Sequence, residues 1–143
     1  MRYLYLSLLL LLSAAVFGQT ETTDSVFTEV EQMPLFRADC NKAKKQKVCA
    51  DRAMMEYIST NLRYPTEARN EKAEGMAVVS FIVETDGTLS SPAILRNPGY
   101  GMGEEVLRLV RAMNADGVSW TPGIQDGKPV RVEFKLPVKF KYG

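Results

Sequence analysis

The stretch GMAVVSFIVETDGTLS, residues 75–90, changes the chain from helical spacing to strand alternation. From Gly75 both faces of the alternating segment are mostly apolar, which is typical of a strand in the centre of a sheet. Asp86-Gly87 suits a two-residue hairpin turn in which both residues have positive φ. A second strand is therefore predicted from Thr88 to about Arg96, where Asn97-Pro98-Gly99 ends it.

Two helices and a last strand surround this hairpin. Apolar residues spaced three and four apart predict a helix from about Val48 to Leu62, which Pro65 ends. A similar apolar stripe predicts a second helix over about Gly103–Met113. Regular alternation predicts the last strand over Val130–Phe140. Pro137 cannot donate to a ladder, so this strand should lie at an edge of the sheet or be bulged there.

The predicted order is α-β-β-α-β, an α+β fold with a three-stranded antiparallel sheet and both helices packed on one face. The strand from Gly75 takes the middle position. Two large aromatic residues, Tyr64 and Trp120, are predicted to anchor the core, with contact to a partner as the alternative.

The N-terminus has the layout of a secretory signal peptide, residues 1–18. Arg2 precedes an apolar run from Leu4 to Phe17, shorter than the roughly 20 residues that span a bilayer. We expect cleavage near Gly18, with retention as a membrane anchor as the alternative. Residues 19–47 are predicted to form an extended arm and a basic loop, loose up to about Thr28, and residues 48–143 the domain.

Composition argues against several classes of function. Lys and Arg total 18 against 17 for Asp and Glu, so a net charge of +1 argues against a nucleic-acid partner. The chain has no histidine, which excludes Ser-His and Cys-His pairs and histidine metal sites. We therefore predict no catalytic residue, no metal and no cofactor. In an exported chain the only two cysteines, Cys40 and Cys49, are expected to form a disulfide.

An ordered set of residues over about 48–142 resembles the TonB C-terminal domain. The set runs Tyr64-Pro65, Ala68, Gly75, Val79, Phe81, Val83, Gly87, Leu89, Ile94-Leu95, Val106, Ala112-Met113, Trp120, Pro122-Gly123, Gly127, Val130, Val132 and Phe134. The cysteine pair and the ending Leu136-Pro137-Val138 resemble the Bacteroidetes-type versions.

The resemblance implies a periplasmic module that binds an extended segment of an outer-membrane TonB-dependent transporter, in service of energised transport. The segment would add as a strand beside the last strand, through main-chain hydrogen bonds. The implied binding residues are Val130, Arg131, Val132, Glu133, Phe134, Lys135 and Leu136. In the family the segment around Tyr-Pro also faces the partner, which implies Asn61, Arg63, Tyr64 and Pro65.

A full energy transducer of this family differs from this sequence in two ways. It carries a membrane helix with a histidine and a long proline-rich spacer, whereas Pro34 is the only proline here between the apolar run and Pro65. We therefore expect an exported binding domain alone. The alternatives are a self-associating structural module of the cell envelope, dimerising through the same edge strand, and a transducer that keeps its N-terminal run as an anchor.

Overall fold

The computed structural model describes residues 25–37, 40 and 44–143, so the predicted signal peptide lies outside the described residues. The helices are α1 (Gln46–Asn61), α2 (Thr66–Asn70) and α3 (Met102–Ala115). The strands are β1 (Val26–Phe27), β2 (Leu35–Phe36), β3 (Gly75–Val83), β4 (Leu89–Arg96), β5 (Trp120–Thr121), β6 (Gly123–Gln125) and β7 (Lys128–Phe140). No helix within these described ranges is long and apolar enough to cross a membrane.

The main sheet has the order β1-β7-β3-β4, with β6 also paired to β7. β3 lies in the middle and pairs antiparallel with β4 on one side and with β7 on the other. The predicted α+β class and the predicted central strand are therefore confirmed. Within the part of the chain that the structure describes, the sheet has five strands rather than three, because β6 and the parallel strand β1 extend it.

The hairpin between β3 and β4 differs from the prediction. Of the predicted turn pair only Gly87 has a positive φ, of 83°. The Gly87 N–H donates to the Glu84 oxygen at 3.0 Å, and the Glu84 N–H donates to the Thr88 oxygen at 2.8 Å. This is a three-residue loop closed by a glycine bulge, so the two-residue turn was wrong. The side chain of Asp86 stabilises the loop by accepting hydrogen bonds from the Thr88 amide and hydroxyl.

Gly87 is also required for a close approach to β5. The Trp120 N–H donates to the Gly87 oxygen at 2.9 Å, and a Cβ on Gly87 would lie only 2.2 Å from the Trp120 oxygen. The second turn, Asp126-Gly127, has positive φ at both residues (51° and 72°) and joins β6 to β7. The two-residue turn expected at the first hairpin therefore occurs here.

The core lies between α3 and one face of β3, β4 and β7. On α3 the side chains of Val106, Leu109, Val110 and Met113 are buried, as the predicted stripe required. Trp120 is 2% exposed and contacts the rings of Phe36, Phe81 and Phe134, which confirms its role as a core anchor.

α2 was not predicted. Pro65 does end the preceding helical run, but with φ −59° it also starts a short helix that buries Ala68. Proline suits the start of a helix because the first N–H groups have no partner within the helix. The helix-ending effect of this proline predicts only where α1 stops, so α2 was not expected from the sequence.

The N-terminal arm is more ordered than predicted. The segment expected to be loose contains β1, which pairs in parallel with Arg131–Val132 of β7. The arm then exchanges two hydrogen bonds between Gln32 and Ile124 (3.1 and 2.9 Å) and buries Phe36. The Cys40–Cys49 disulfide, with Cα atoms 5.8 Å apart, confirms the predicted pairing and links the arm to α1.

Candidate partner-binding edge

β7 has different neighbours along its two edges. On one side it pairs with β3 from Val132 to Phe140. On the other side β1 pairs only with Arg131 and Val132. Beyond that pairing, no strand of the described residues adds to this side of residues 133–140, which we name the open edge. The last strand is therefore an edge strand over most of its length but not at its beginning, where Val130 also pairs with Gly123 of β6.

Alternation along β3 indicates which main-chain groups of β7 point outward. The Glu84 N–H points to the Thr88 oxygen, towards β4, so the peptide groups of the adjacent Val83 point towards β7. Val83 is paired with Val132, so the main-chain N–H and C=O of Val132 face β3. Because these groups alternate in direction along a strand, those of the odd-numbered residues from 133 onward face the open edge. Pro137 fits this parity, because a proline has no N–H for the β3 ladder.

The side chains along the open edge divide between the core and solvent. Leu136, Val138 and Phe140 are buried and Phe134 is half-buried, whereas Lys135, Pro137 and Lys139 are exposed. The predicted binding residues Val132 and Leu136 therefore contribute their side chains to the core. An added strand would meet main-chain groups, together with the exposed side chains that flank them.

Arg131 is held in an ion pair on the sheet. Its Nε and Nη2 donate to the two carboxylate oxygens of Glu84 at 2.7 and 3.0 Å. These bonds are the main reason that the pKa of Glu84 lies below its usual value; a bond from the Ser90 hydroxyl adds to the effect. The guanidinium of Arg131 therefore has a structural partner within its own chain.

The Tyr-Pro segment lies at the far end of the open edge. The ring of Tyr64 packs edge-on against that of Phe140, with centroids 5.6 Å apart, and its hydroxyl donates to the Ala73 oxygen. Tyr64 is half-buried, so it serves as a core contact that brings two of the predicted binding segments together. Pro65 lies against Gly101.

Two further residues of this segment are held by polar contacts. The Arg63 N–H donates to a Glu105 oxygen at 2.8 Å, and the Arg63 side chain is exposed. Partial burial opposes ionisation of Glu105, but bonds from Arg108 and from the Arg63 amide outweigh it and lower the pKa of Glu105. The side-chain NH₂ of Asn61 donates to the main-chain oxygen of Tyr57 at 2.8 Å, so it satisfies a carbonyl in the last turn of α1.

A separate surface groove of about 520 Å³ lies between α1 and the residues that precede β5. Its lining includes Phe36, Tyr57 and Val118, and Asn61 is the only predicted binding residue there. Burial and a hydrogen bond to Asp116 raise the pKa of Tyr57 to about 12. None of the residues that line the groove belongs to residues 133–140, so the groove is distinct from the open edge.

Sequence reasoning missed β1 as a part of this site. Two residues are too short for alternation to show, and Val26–Phe27 follows a polar lead. The pairing of β1 with β7 joins residues about a hundred positions apart, which local patterns do not encode.

The family model for the Gram-negative bacterial TonB protein C-terminal matches residues 60–142, more than half of the chain. The chain belongs to this family. A solution structure of the Helicobacter pylori TonB C-terminal domain is similar at 19% identity and a TM-score of 0.51, covering 72% of this chain and 88% of that one. A solution structure of a shorter piece of the same domain has 20% identity, a TM-score of 0.45 and coverages of 63% and 90%. No curated protein matches.

Membership confirms the predicted resemblance, and the similar structure supports the fold. Domains of this family are non-enzymatic binding modules that act in envelope energy transduction and bind transporters, which indicates a periplasmic or envelope location. The Bacteroidetes-type character stays a prediction. The matched region begins within α1, so β1 and the rest of the arm precede it.

Proposed function

We propose that the protein is a periplasmic module that binds an extended segment of an outer-membrane TonB-dependent transporter and thereby takes part in energised transport. The segment adds as a strand along the open edge of β7. The observation that carries the proposal is that no strand of the described residues adds to this side of residues 133–140 in a domain of the TonB C-terminal family. The predicted residues Glu133, Phe134, Lys135 and Leu136 lie on this stretch.

Strand addition suits this edge because its apolar side chains are already used in the core. Main-chain N–H and C=O groups supply the affinity and accept many partner sequences. The exposed charged side chains of the open edge are Lys135 and Lys139, with exposed Arg63 at its far end, whereas Glu133 is half-buried. The proposed partner segment therefore carries acidic side chains, and its binding weakens as salt rises.

The test compares Lys135→Pro with Lys135→Ala. Lys135 points its N–H outward, so proline removes one donor of the open edge and leaves the β3 ladder intact, as Pro137 does in the native chain. Alanine removes the same side chain and keeps the donor. We expect proline to weaken the binding of a synthetic peptide from a transporter plug about tenfold or more, and alanine to change it by less than about threefold. Proline at Val132 or Phe134 is unsuitable, because those N–H groups face β3.

Amide hydrogen exchange with and without the peptide locates the strand to which the peptide binds. Protection should appear on the odd-numbered amides of the open edge. Protection confined to β4 or to Lys44–Lys47, with none on β7, would show that the binding edge is misplaced. The self-associating alternative uses the same groups, so sizing of the protein over a range of concentrations tests it. A dimer that Lys135→Pro dissociates, together with no peptide binding, would favour that alternative.

A further inference from the structure

The start of the β7 edge is occupied by the chain itself. β1 pairs with Arg131 and Val132 on the side of β7 that faces away from β3, which is the side of the open edge. A partner strand that runs past Glu133 towards the beginning of β7 would meet β1. The arm and the proposed partner therefore share one continuous row of main-chain groups.

β1 is held less firmly than the rest of the arm. Its pairing covers two residues, and Val26 is 40% exposed. Later in the arm, Gln32 exchanges two hydrogen bonds with Ile124, Phe36 is 8% exposed, and the Cys40–Cys49 disulfide fixes the end. Local opening takes the segments with few buried contacts first. β1 can therefore leave β7 while the arm stays anchored from Gln32 onward.

We propose that β1 is a displaceable strand that limits the length of the docking edge. The inference rests on the proposed function. A segment that pairs only with residues 133–140 binds with β1 in place. A longer segment gains the outward-facing main-chain groups of Arg131 only by displacing β1, and the lost β1 pairing offsets part of that gain. The arm thus sets how much of a transporter segment the protein holds.

The experiment uses two peptides and two forms of the full exported protein. One synthetic peptide from a transporter plug has the length of the open edge, and the other is extended by about four residues at each end. The variant is Phe27→Pro, which prevents the parallel pairing of β1. The long peptide should bind this variant roughly 3- to 10-fold more tightly than it binds the parent, whereas the short peptide should bind both equally.

Amide exchange supplies the second readout. With the long peptide, protection beyond that of the free protein should extend to the outward-facing amide of Arg131 in the variant. Equal affinity of the long peptide for both forms would overturn the inference, and so would tighter binding of both peptides alike. If Phe27→Pro fails to fold, the Val26→Gly/Phe27→Gly double variant weakens the same pairing without a proline.

Failure of the proposed function gives a different result. In that case neither peptide binds the parent or the variant, and the inference falls with the function. If the short peptide binds both forms with protection on the open edge, the function stands whatever the long peptide does. The short peptide therefore separates the two failures.

Discussion

Two basic residues on the same face of β7 differ in whether their side chains already have a partner within the protein. Arg131 was predicted to contact the partner, and the structure places its guanidinium on Glu84. Lys135, four residues further along β7 and on the same face, is exposed. The difference comes from register, because Glu84 follows the end of β3 and lies beside the beginning of β7. Strand pairing, rather than residue type, decides which basic side chain is available.

At this scale we predict that Arg131→Gln destabilises the protein by about 1–3 kcal/mol at pH 7, through loss of charge-assisted bonds to Glu84. The folded-state pKa of Glu84 is lowered, so its stabilisation is full above the unfolded-state pKa and is lost as pH falls through the folded-state pKa. The difference between variant and parent in urea unfolding should therefore shrink below about pH 4. A difference that stays constant down to pH 2 would contradict the role of the ion pair. Lys135→Gln is the control and should change stability little.

Among the elements, α3 and β3 form the part of the molecule that patterns predicted best. The stripe on α3 and the alternation of β3 each specify one buried face, and the two faces pack together. β4 follows less regularly, since its register with β3 shifts twice and Ser91 has a φ of 47°. Its outer edge is closed at Leu89, whose N–H and C=O are both bonded by the side chain of Asn114. β4 and β7, the two neighbours of β3, therefore differ in how readily their outer edges can accept a further strand.

Val110→Asp tests the packing of α3. Val110 is 1% exposed, so the variant buries a carboxylate without a partner and should lose several kcal/mol of unfolding free energy. Arg111→Asp introduces the same residue one position along, where the side chain is exposed, and should cost less than about 1 kcal/mol. Thermal unfolding measures both. Equal melting temperatures for the two variants would mean that the assigned face is wrong.

At the scale of the whole molecule, the N-terminal arm closes one end of the core and pairs with the start of β7. Leu35–Phe36 pairs with Trp120–Thr121 in a second small sheet, and the disulfide joins the arm to α1. The arm is thus linked to the domain at several points that lie far apart in sequence. In the proposed release of β1, this linkage keeps the rest of the arm in place.

The mature protein is predicted to begin near Gln19 and to contain the Cys40–Cys49 disulfide. Intact mass and thiol titration of protein from the periplasm measure both properties. A mass that includes residues 1–18 would favour the anchored alternative over an exported module. Two titratable thiols in the folded protein would contradict the disulfide; after reduction two thiols are expected as the control.

The elements with long, regular patterns could be predicted from the amino-acid sequence alone. The α3 stripe and the alternation of β3 and β7 follow from the need of each element to bury one face, and this need is expressed at every position. Pro137 was enough to predict that β7 lies at an edge or is bulged there, since the missing N–H is a property of the residue. The two cysteines and the predicted export were enough to predict the disulfide.

Short strands, loop forms and pairings that depend on segments far apart in the chain appear only in the tertiary structure. β1 and β2 are two residues each and exist because β7 and β5 lie beside them. The loop at Gly87 has its form because β5 passes against it, at a distance where no Cβ fits. The length of the open edge and the pairing of Arg131 likewise follow from register between segments far apart in the chain. Such pairings are stabilised only when the whole core is assembled, so no local pattern in the sequence records them.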